Sequence, residues 1–458
     1  MGRERAEQIM TQTNDRLENQ GQRLSPAWPS STRAWATVFV LLAAYAVAFI
    51  DRQILTLLVE PIQRDLRITD TQFSLLSGLA FTLFYTLMGI PLGWLADRGS
   101  RRKLILVSVL FWSAMTAACG MAKSFGMLFL ARIGVGVGEA GLSPAAFSMI
   151  ADSFPTEKRS RALSIYAMGA VAGVGLALII GGAVIGWAST APPVVLPLLG
   201  ELRTWQLAFL LVSLPGPVLA VAVWALREPQ RQELAKADAS VSDGFGRFMR
   251  ERGRIFLLLA MGYSIIGVPI AAYLTWTPAF MVRAYGWNIS TVGAVYGAVL
   301  LIFNTSGIFL GGWASDRWIA AGRKDAALAI SIGGALIGLP FAVMAPFMPN
   351  GWAAMGCIAA LSFGFGLAQG LPAVSIQAIA PNQLRARAMA LYFLIGNVVA
   401  FTIGPTGVAM ISDYWLKDPA KIGVAIGMLT VIMLPLGLLA LWTARSEFRQ
   451  IVGANDPA

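Results

Sequence analysis

The feature that most constrains this chain is a succession of apolar runs, each about 20 residues long, separated by short polar connections. A run of that length matches the hydrocarbon thickness of a bilayer when coiled as an α-helix. Twelve such spans are expected, near 35–59, 73–95, 104–122, 126–150, 162–187 and 207–226, then 255–281, 291–313, 326–347, 352–377, 386–411 and 421–444. The expected fold class is therefore an all-α membrane protein. Its domains read as a polar tail (1–34), a six-helix bundle (35–226), a basic linker (227–254), a second bundle (255–444) and a second tail (445–458). The first tail is expected to be disordered. The run after it exceeds the 7 to 15 apolar residues of a signal peptide, so no cleaved leader is expected.

Composition matters mainly for what it excludes. Only 13 % of the 458 residues are charged, against about 25 % in ordinary soluble chains. The net charge of +11 would raise the question of nucleic acid in a soluble protein, but here lysine and arginine sit in the connections, and no nucleic-acid partner is implied. Histidine is absent, which removes His-based triads and His metal sites. The two cysteines, Cys119 and Cys357, each lie inside an apolar run and build neither a disulfide framework nor a metal cluster. Neither metal nor cofactor is implied, and a membrane enzyme would have little from which to assemble a catalytic site. Charge asymmetry sets the orientation. Of the 35 Lys and Arg, 26 fall in the tails, the linker and the connections on their side, and 7 on the opposite side. Both termini are thus expected in the cytoplasm, in the inner membrane if the source is bacterial.

The two halves repeat. Gly93-Trp94-Leu95-Ala96-Asp97-Arg98 after span 2 matches Gly312-Trp313-Ala314-Ser315-Asp316-Arg317 after span 8. Pro155, Arg159, Arg161, Ala162 and Tyr166 recur as Pro381, Arg385, Arg387, Ala388 and Tyr392 at a constant offset of 226. Matches in register at corresponding connections imply two pseudo-symmetric bundles.

With these motifs the chain resembles a major facilitator superfamily transporter over nearly its whole length outside the tails. The carriers are GWLADRGSRRK from Gly93 to Lys103, its weaker copy at Gly312, and the span 4 stretch from Arg132 to Glu139. Asp51-Arg52-Gln53 and the stretch from Arg132 to Pro144 resemble the spinster-like group, whose known members export lysolipids and sphingosine phosphate. The Gly-Pro signature of many antiporters is missing from span 5, where Gly169 to Gly182 holds no proline. The resemblance implies two six-helix bundles working by alternating access, as a monomer, on an amphipathic anionic lipid such as a lysophospholipid or sphingosine phosphate. The alternative is a proton-linked transporter of a small organic acid or drug-like compound.

The residues carry their own reading. An ionised group in hydrocarbon costs at least about 2.5 to 3.5 kcal/mol, so few are kept there. Four lie well inside the expected spans: Asp51, Arg52, Arg132 and Glu139, all in the first half. From a rise of about 1.5 Å per residue, Asp51 lies roughly 24 Å and Arg132 roughly 27 Å from the expected cytoplasmic ends of their spans, which allows an Asp51–Arg132 pair. Glu139 lies roughly 16 Å up, near the midplane, on the same helix face as Arg132 and Ser143. Proton coupling is assigned to Asp51, Glu139 and Arg132, with Glu139 loading a proton and an approaching Arg132 favouring its release. Substrate contact is assigned to Arg52, Arg132, Glu139 and Ser143, and Arg52 either pairs with Asp51 or forks onto an anionic headgroup. A static ion-pair network gluing helices is the competing reading. Asp97 and Asp316 are expected to latch the cytoplasmic side with Arg101, Arg159, Arg161, Arg385 and Arg387. The basic run from Arg247 to Arg254 is expected to rest on the anionic inner leaflet.

Overall fold

The computed structural model describes residues 28–192, 194–196, 200–231 and 240–454. Most of the expected N-terminal tail and the middle of the linker therefore lie outside the described residues. Among the described residues, twelve helices are long and apolar enough to cross a bilayer. They are spans 1 (Ser31–Leu57), 2 (Asp70–Arg98), 3 (Arg101–Gly120), 4 (Phe125–Ala151), 5 (Lys158–Thr190) and 6 (Thr204–Ala225), then 7 (Gly244–Tyr285), 8 (Ile289–Ala320), 9 (Ala326–Phe347), 10 (Gly351–Ile379), 11 (Arg387–Leu416) and 12 (Pro419–Gly453). Twelve crossings put Ser31 and Ala454, the ends of the described helices, on one face, called here the terminal face.

The helices outrun the expected spans at that face. The helix carrying span 7 starts at Ser240, so residues 240–254, expected as linker, continue it. The helix of span 12 runs to Ala454, through most of the expected C-terminal tail, and span 1 begins at Ser31 inside the expected first tail. The reason is packing that hydropathy alone does not reveal: Phe248 and Phe448 are both buried, so each extension keeps an apolar side against the bundle.

Two breaks position the site. Span 4 is interrupted at Ala140–Gly141, directly after Glu139, and Pro144 explains it by having no amide hydrogen for the carbonyl four residues back. Span 10 breaks at Gly370 ahead of Pro372, the corresponding place in the second half. Spans 5 and 8 pack across the bundle boundary, as do spans 2 and 11. At the first of these the backbones touch: a Cβ on Gly293 would meet the Leu178 carbonyl oxygen at 2.5 Å and Gly182 Cα at 2.8 Å.

Candidate substrate and coupling site

The in-span charged residues converge between spans 1 and 4, but in a different pairing from that expected. Arg52 donates from Nε to Glu139 Oε2 at 2.6 Å. Arg132 is buried and donates from Nη1 to the Asp51 backbone carbonyl at 3.2 Å, not to its carboxylate. Among the described residues, both carboxylate oxygens of Asp51 lack a hydrogen-bond partner, as do Arg132 Nε and Glu139 Oε1. The side-chain pair between Asp51 and Arg132 that depth allowed is not formed, and Arg52 meets Glu139 and not Asp51. Asp51 and Arg52 are consecutive, so about 100° of helix rotation sends one side chain deep between spans 1 and 4 and the other toward Glu139.

Aromatic rings enclose these charges. The Arg52 guanidinium carbon lies 4.7 Å from the ring centres of both Phe81 and Tyr85 and 5.2 Å from that of Phe49. The Arg132 guanidinium approaches Phe81 as well, at 5.3 Å, so the two cations share this ring. Tyr45 stacks on Tyr166 at 5.0 Å, and Phe147 meets Tyr166 edge-on at 5.3 Å. Ser143 is half-buried beside Tyr45 and Tyr166, whose hydroxyls face it. The aromatic enclosure was not foreseen, although Tyr45, Phe49 and Arg52 recur at helical spacing on span 1, and Phe81 and Tyr85 on span 2. The glycines of span 4 let the enclosure close: a Cβ on Gly136 would lie 2.6 Å from the Phe81 carbonyl oxygen.

The expected gate residues are spread apart. Asp97 and Asp316 are exposed and form no ion pair or side-chain hydrogen bond among the described residues. Arg101 does not meet Asp97. It is buried, pairs with Asp152 and Glu228, and donates to Ser148 Oγ at 3.0 Å and the Pro229 carbonyl at 2.7 Å. It thus fastens the start of the linker to spans 3 and 4. Burial raises the Glu228 pKa, but the Ser100 hydroxyl, the Arg101 amide and its guanidinium outweigh this and hold it below the ordinary glutamate value. Arg385 donates to the Gln377 carbonyl at 3.1 Å near the end of span 10, Arg161 and Arg387 are exposed, and Arg159 is half-buried.

On the opposite face a cluster that the sequence did not reveal joins the bundles. Arg283 at the end of span 7 pairs with Glu60 at 2.6 Å and with Asp70 at 2.8 Å, and donates to Gln63 Oε1 at 2.7 Å. Ser412 donates to Asp70, and Asp413 accepts from the Thr71 amide at 2.7 Å.

The family model described as Major Facilitator Superfamily matches residues 41–405. This chain belongs to the Major Facilitator Superfamily. It is therefore a multi-pass membrane protein and a secondary active transporter. It is 30 % identical over 426 residues to an "MFS-type efflux pump" of Mycolicibacterium smegmatis, covering 91 % of this chain and 94 % of that protein. It is 25 % identical over 298 residues to a "Probable L-galactonate transporter" of Escherichia coli, covering 62 % of each. Among solved structures it is similar to a bacterial homologue of the human lysosomal transporter Spinster in an inward-facing, unoccupied conformation. That match has a TM-score of 0.79 and 26 % identity, and covers 94 % of this chain and all of the other.

In this major facilitator Arg283 bridges the bundles on the face away from the termini, and Asp97 and Asp316, near the terminal-face ends of spans 2 and 8, are exposed and form no ion pair among the described residues. Both observations agree with its likeness to an inward-facing relative. The four in-span charges all belong to the first bundle. The facing bundle has π-helical turns at Leu300–Asn304 in span 8 and Val399–Ile403 in span 11. Such turns recur at functional helices.

Proposed function

We propose that this transporter moves an amphipathic anionic lipid, of lysophospholipid or sphingosine-phosphate type, by proton-coupled alternating access, with Arg52 as the anion contact. The carrying observation is the state of Arg52. Among the described residues its side chain gives only Nε to a hydrogen-bond partner, and it is 20 % accessible while its partner Glu139 is fully shielded. Two guanidinium nitrogens thus remain for an incoming phosphate or carboxylate, which they grip as a planar fork. The rings of Phe49, Phe81 and Tyr85 beside them suit an apolar chain.

In this scheme an anion that binds Arg52 competes with Glu139 for the guanidinium. Glu139, deprived of its partner in a shielded place, takes up a proton, and Asp51 with Arg132 beside the Phe81 ring forms the second station. Rocking of the bundles 35–226 and 255–444 then returns Arg52 to Glu139 and releases the proton. Asp97 and Asp316, with Arg159, Arg161, Arg385 and Arg387, close the terminal face in the alternate state, and Arg101 serves as the anchor of the linker. The excess of Lys and Arg on the terminal face supports a cytoplasmic location for it.

A small organic acid is the second reading, favoured by the relative named as a probable L-galactonate transporter. Both readings share the anionic group and differ in the chain attached to it. In proteoliposomes with an imposed pH gradient, lysophosphatidylglycerol and a hexonate would be compared for flux through the wild type and Glu139→Gln. Lysolipid flux that follows the gradient in the wild type and ignores it in Glu139→Gln is expected. A variant that still follows the gradient would remove Glu139 from the mechanism, and hexonate flux without lysolipid flux would select the second reading.

A further inference from the structure

The helix that carries span 7 begins well before the membrane, at Ser240, and its first turns have two unlike sides. One side is docked. Phe248 is buried, its ring centre 6.0 Å from that of Phe245 and 6.2 Å from that of Phe256, and Arg252 donates to the Ile379 carbonyl at 2.7 Å. The other side carries Arg247, Arg250 and Arg254, all exposed, at spacings of three and four that set them in one stripe. Glu251 is exposed in the same stripe and offsets part of its charge.

The stripe continues inward through Leu257 and Met261, which are exposed and apolar. One helix face therefore changes from hydrocarbon-facing to cationic between Leu257 and Arg254. The antiparallel span 12 places the boundary region within about two turns of that change. Gly262 packs against Leu441 of the antiparallel span 12, so exposed Trp442 stands level with Met261, and the Arg445 guanidinium lies 5.6 Å from the Trp442 ring centre. Tryptophan on lipid-facing helix surfaces concentrates at the headgroup boundary. With a rise of about 1.5 Å per residue, Arg254 lies about 4.5 Å beyond Leu257 and Arg250 about 10 Å beyond it. A headgroup layer is about 5 to 7 Å deep on each side of the hydrocarbon. Arg254 and Arg250 thus bracket the phosphate layer, held there by a helix anchored on its other side.

We propose that this face is a binding site for an anionic diacyl phospholipid of the surrounding bilayer, with the phosphates taken by Arg250 and Arg254, Arg247 at the outer edge, and an acyl chain along Leu257 and Met261. The site is separate from the one assigned to transport and stands whatever the transported molecule proves to be.

The test is native mass spectrometry of the full chain released from detergent, titrated with phosphatidylglycerol and with phosphatidylcholine of the same chains. The wild type is expected to retain phosphatidylglycerol in preference to phosphatidylcholine. Arg247→Gln/Arg250→Gln/Arg254→Gln should lower that preference about 10- to 100-fold, at the several-fold per arginine expected near an anionic surface. Glu251→Gln should raise it, a change of opposite sign that loss of folding cannot produce. Equal preference in the wild type and the triple variant would overturn the proposal. So would inorganic phosphate displacing the lipid at equal concentration, which would mean that a bare anion suffices.

Discussion

Replacing Arg283 with glutamine should open the face away from the termini. The Arg283 side chain is 8 % accessible and bridges Glu60, which is 34 % accessible, and Asp70, which is 2 % accessible. The Glu60 contact is close to a surface pair and contributes about 0 to 1 kcal/mol. The Asp70 contact is a charge-assisted bond to a buried carboxylate, for which about 1.5 to 3 kcal/mol is usual. Asp70 keeps donors in Ser412 and Gln63, so the loss stays near that range and below the full penalty of a stranded charge. A bias of about 2 to 3 kcal/mol changes the ratio of closed to open molecules about 30- to 150-fold. Spin labels on cysteines placed at exposed Arg64 and Lys421, with Cys119 and Cys357 replaced, would report the outer distance by double electron–electron resonance. A new, longer distance population is expected in Arg283→Gln, with partial return in Arg283→Lys. An unchanged distribution in a folded Arg283→Gln protein would show that the cluster is a passenger and that packing alone holds this face shut.

Packing has its own test: Gly293→Ala would set a methyl group against the Leu178 carbonyl and Gly182, overfilling the contact of spans 5 and 8 by about 1 to 3 kcal/mol, and the same labels should show the outer face opening. A second prediction concerns pH. Burial raises the pKa of Asp325, ahead of span 9, but bonds from Arg445 and Arg449 outweigh this and hold its carboxyl below the ordinary aspartate value. A carboxylate with a depressed pKa stabilises the fold above its unfolded value, near 3.9, and loses that effect as pH falls through the lower folded value. Asp325→Asn should therefore lower Tm at pH 7 by the equivalent of about 1 to 2 kcal/mol, discounted because Arg449 is half exposed, with the gap to wild type closing only below about pH 4. A gap that persists at pH 3 would assign the effect to side-chain shape.

What could be read from the chain alone divides along the physical scale of the signal. Twelve spans and the twofold repeat are set by hydropathy over about 20 residues and by motifs such as Gly93–Arg98 and Gly312–Arg317, which need no partner to be recognised. The four in-span charges were equally visible, because hydrocarbon makes any charge conspicuous. Their partners were not. Depth along the helix allowed Asp51 to meet Arg132, and the backbone of Asp51 does so. Adjacent residues differ by only about 1.5 Å in depth but by about 100° in direction, so rotation of span 1 about its axis decides whether position 51 or 52 confronts Glu139. That rotation is fixed by contacts from elsewhere, among them Gly173 against Phe49 and Gly169 against Tyr45. The outer cluster was hidden for a related reason: Glu60, Asp70 and Arg283 sit at span ends, where a charge is ordinary, and only the meeting of two bundles makes them a latch. Arg101 shows the converse, a buried residue singled out by its motif whose partners, Asp152 and Glu228, lie in segments that no local pattern links to it.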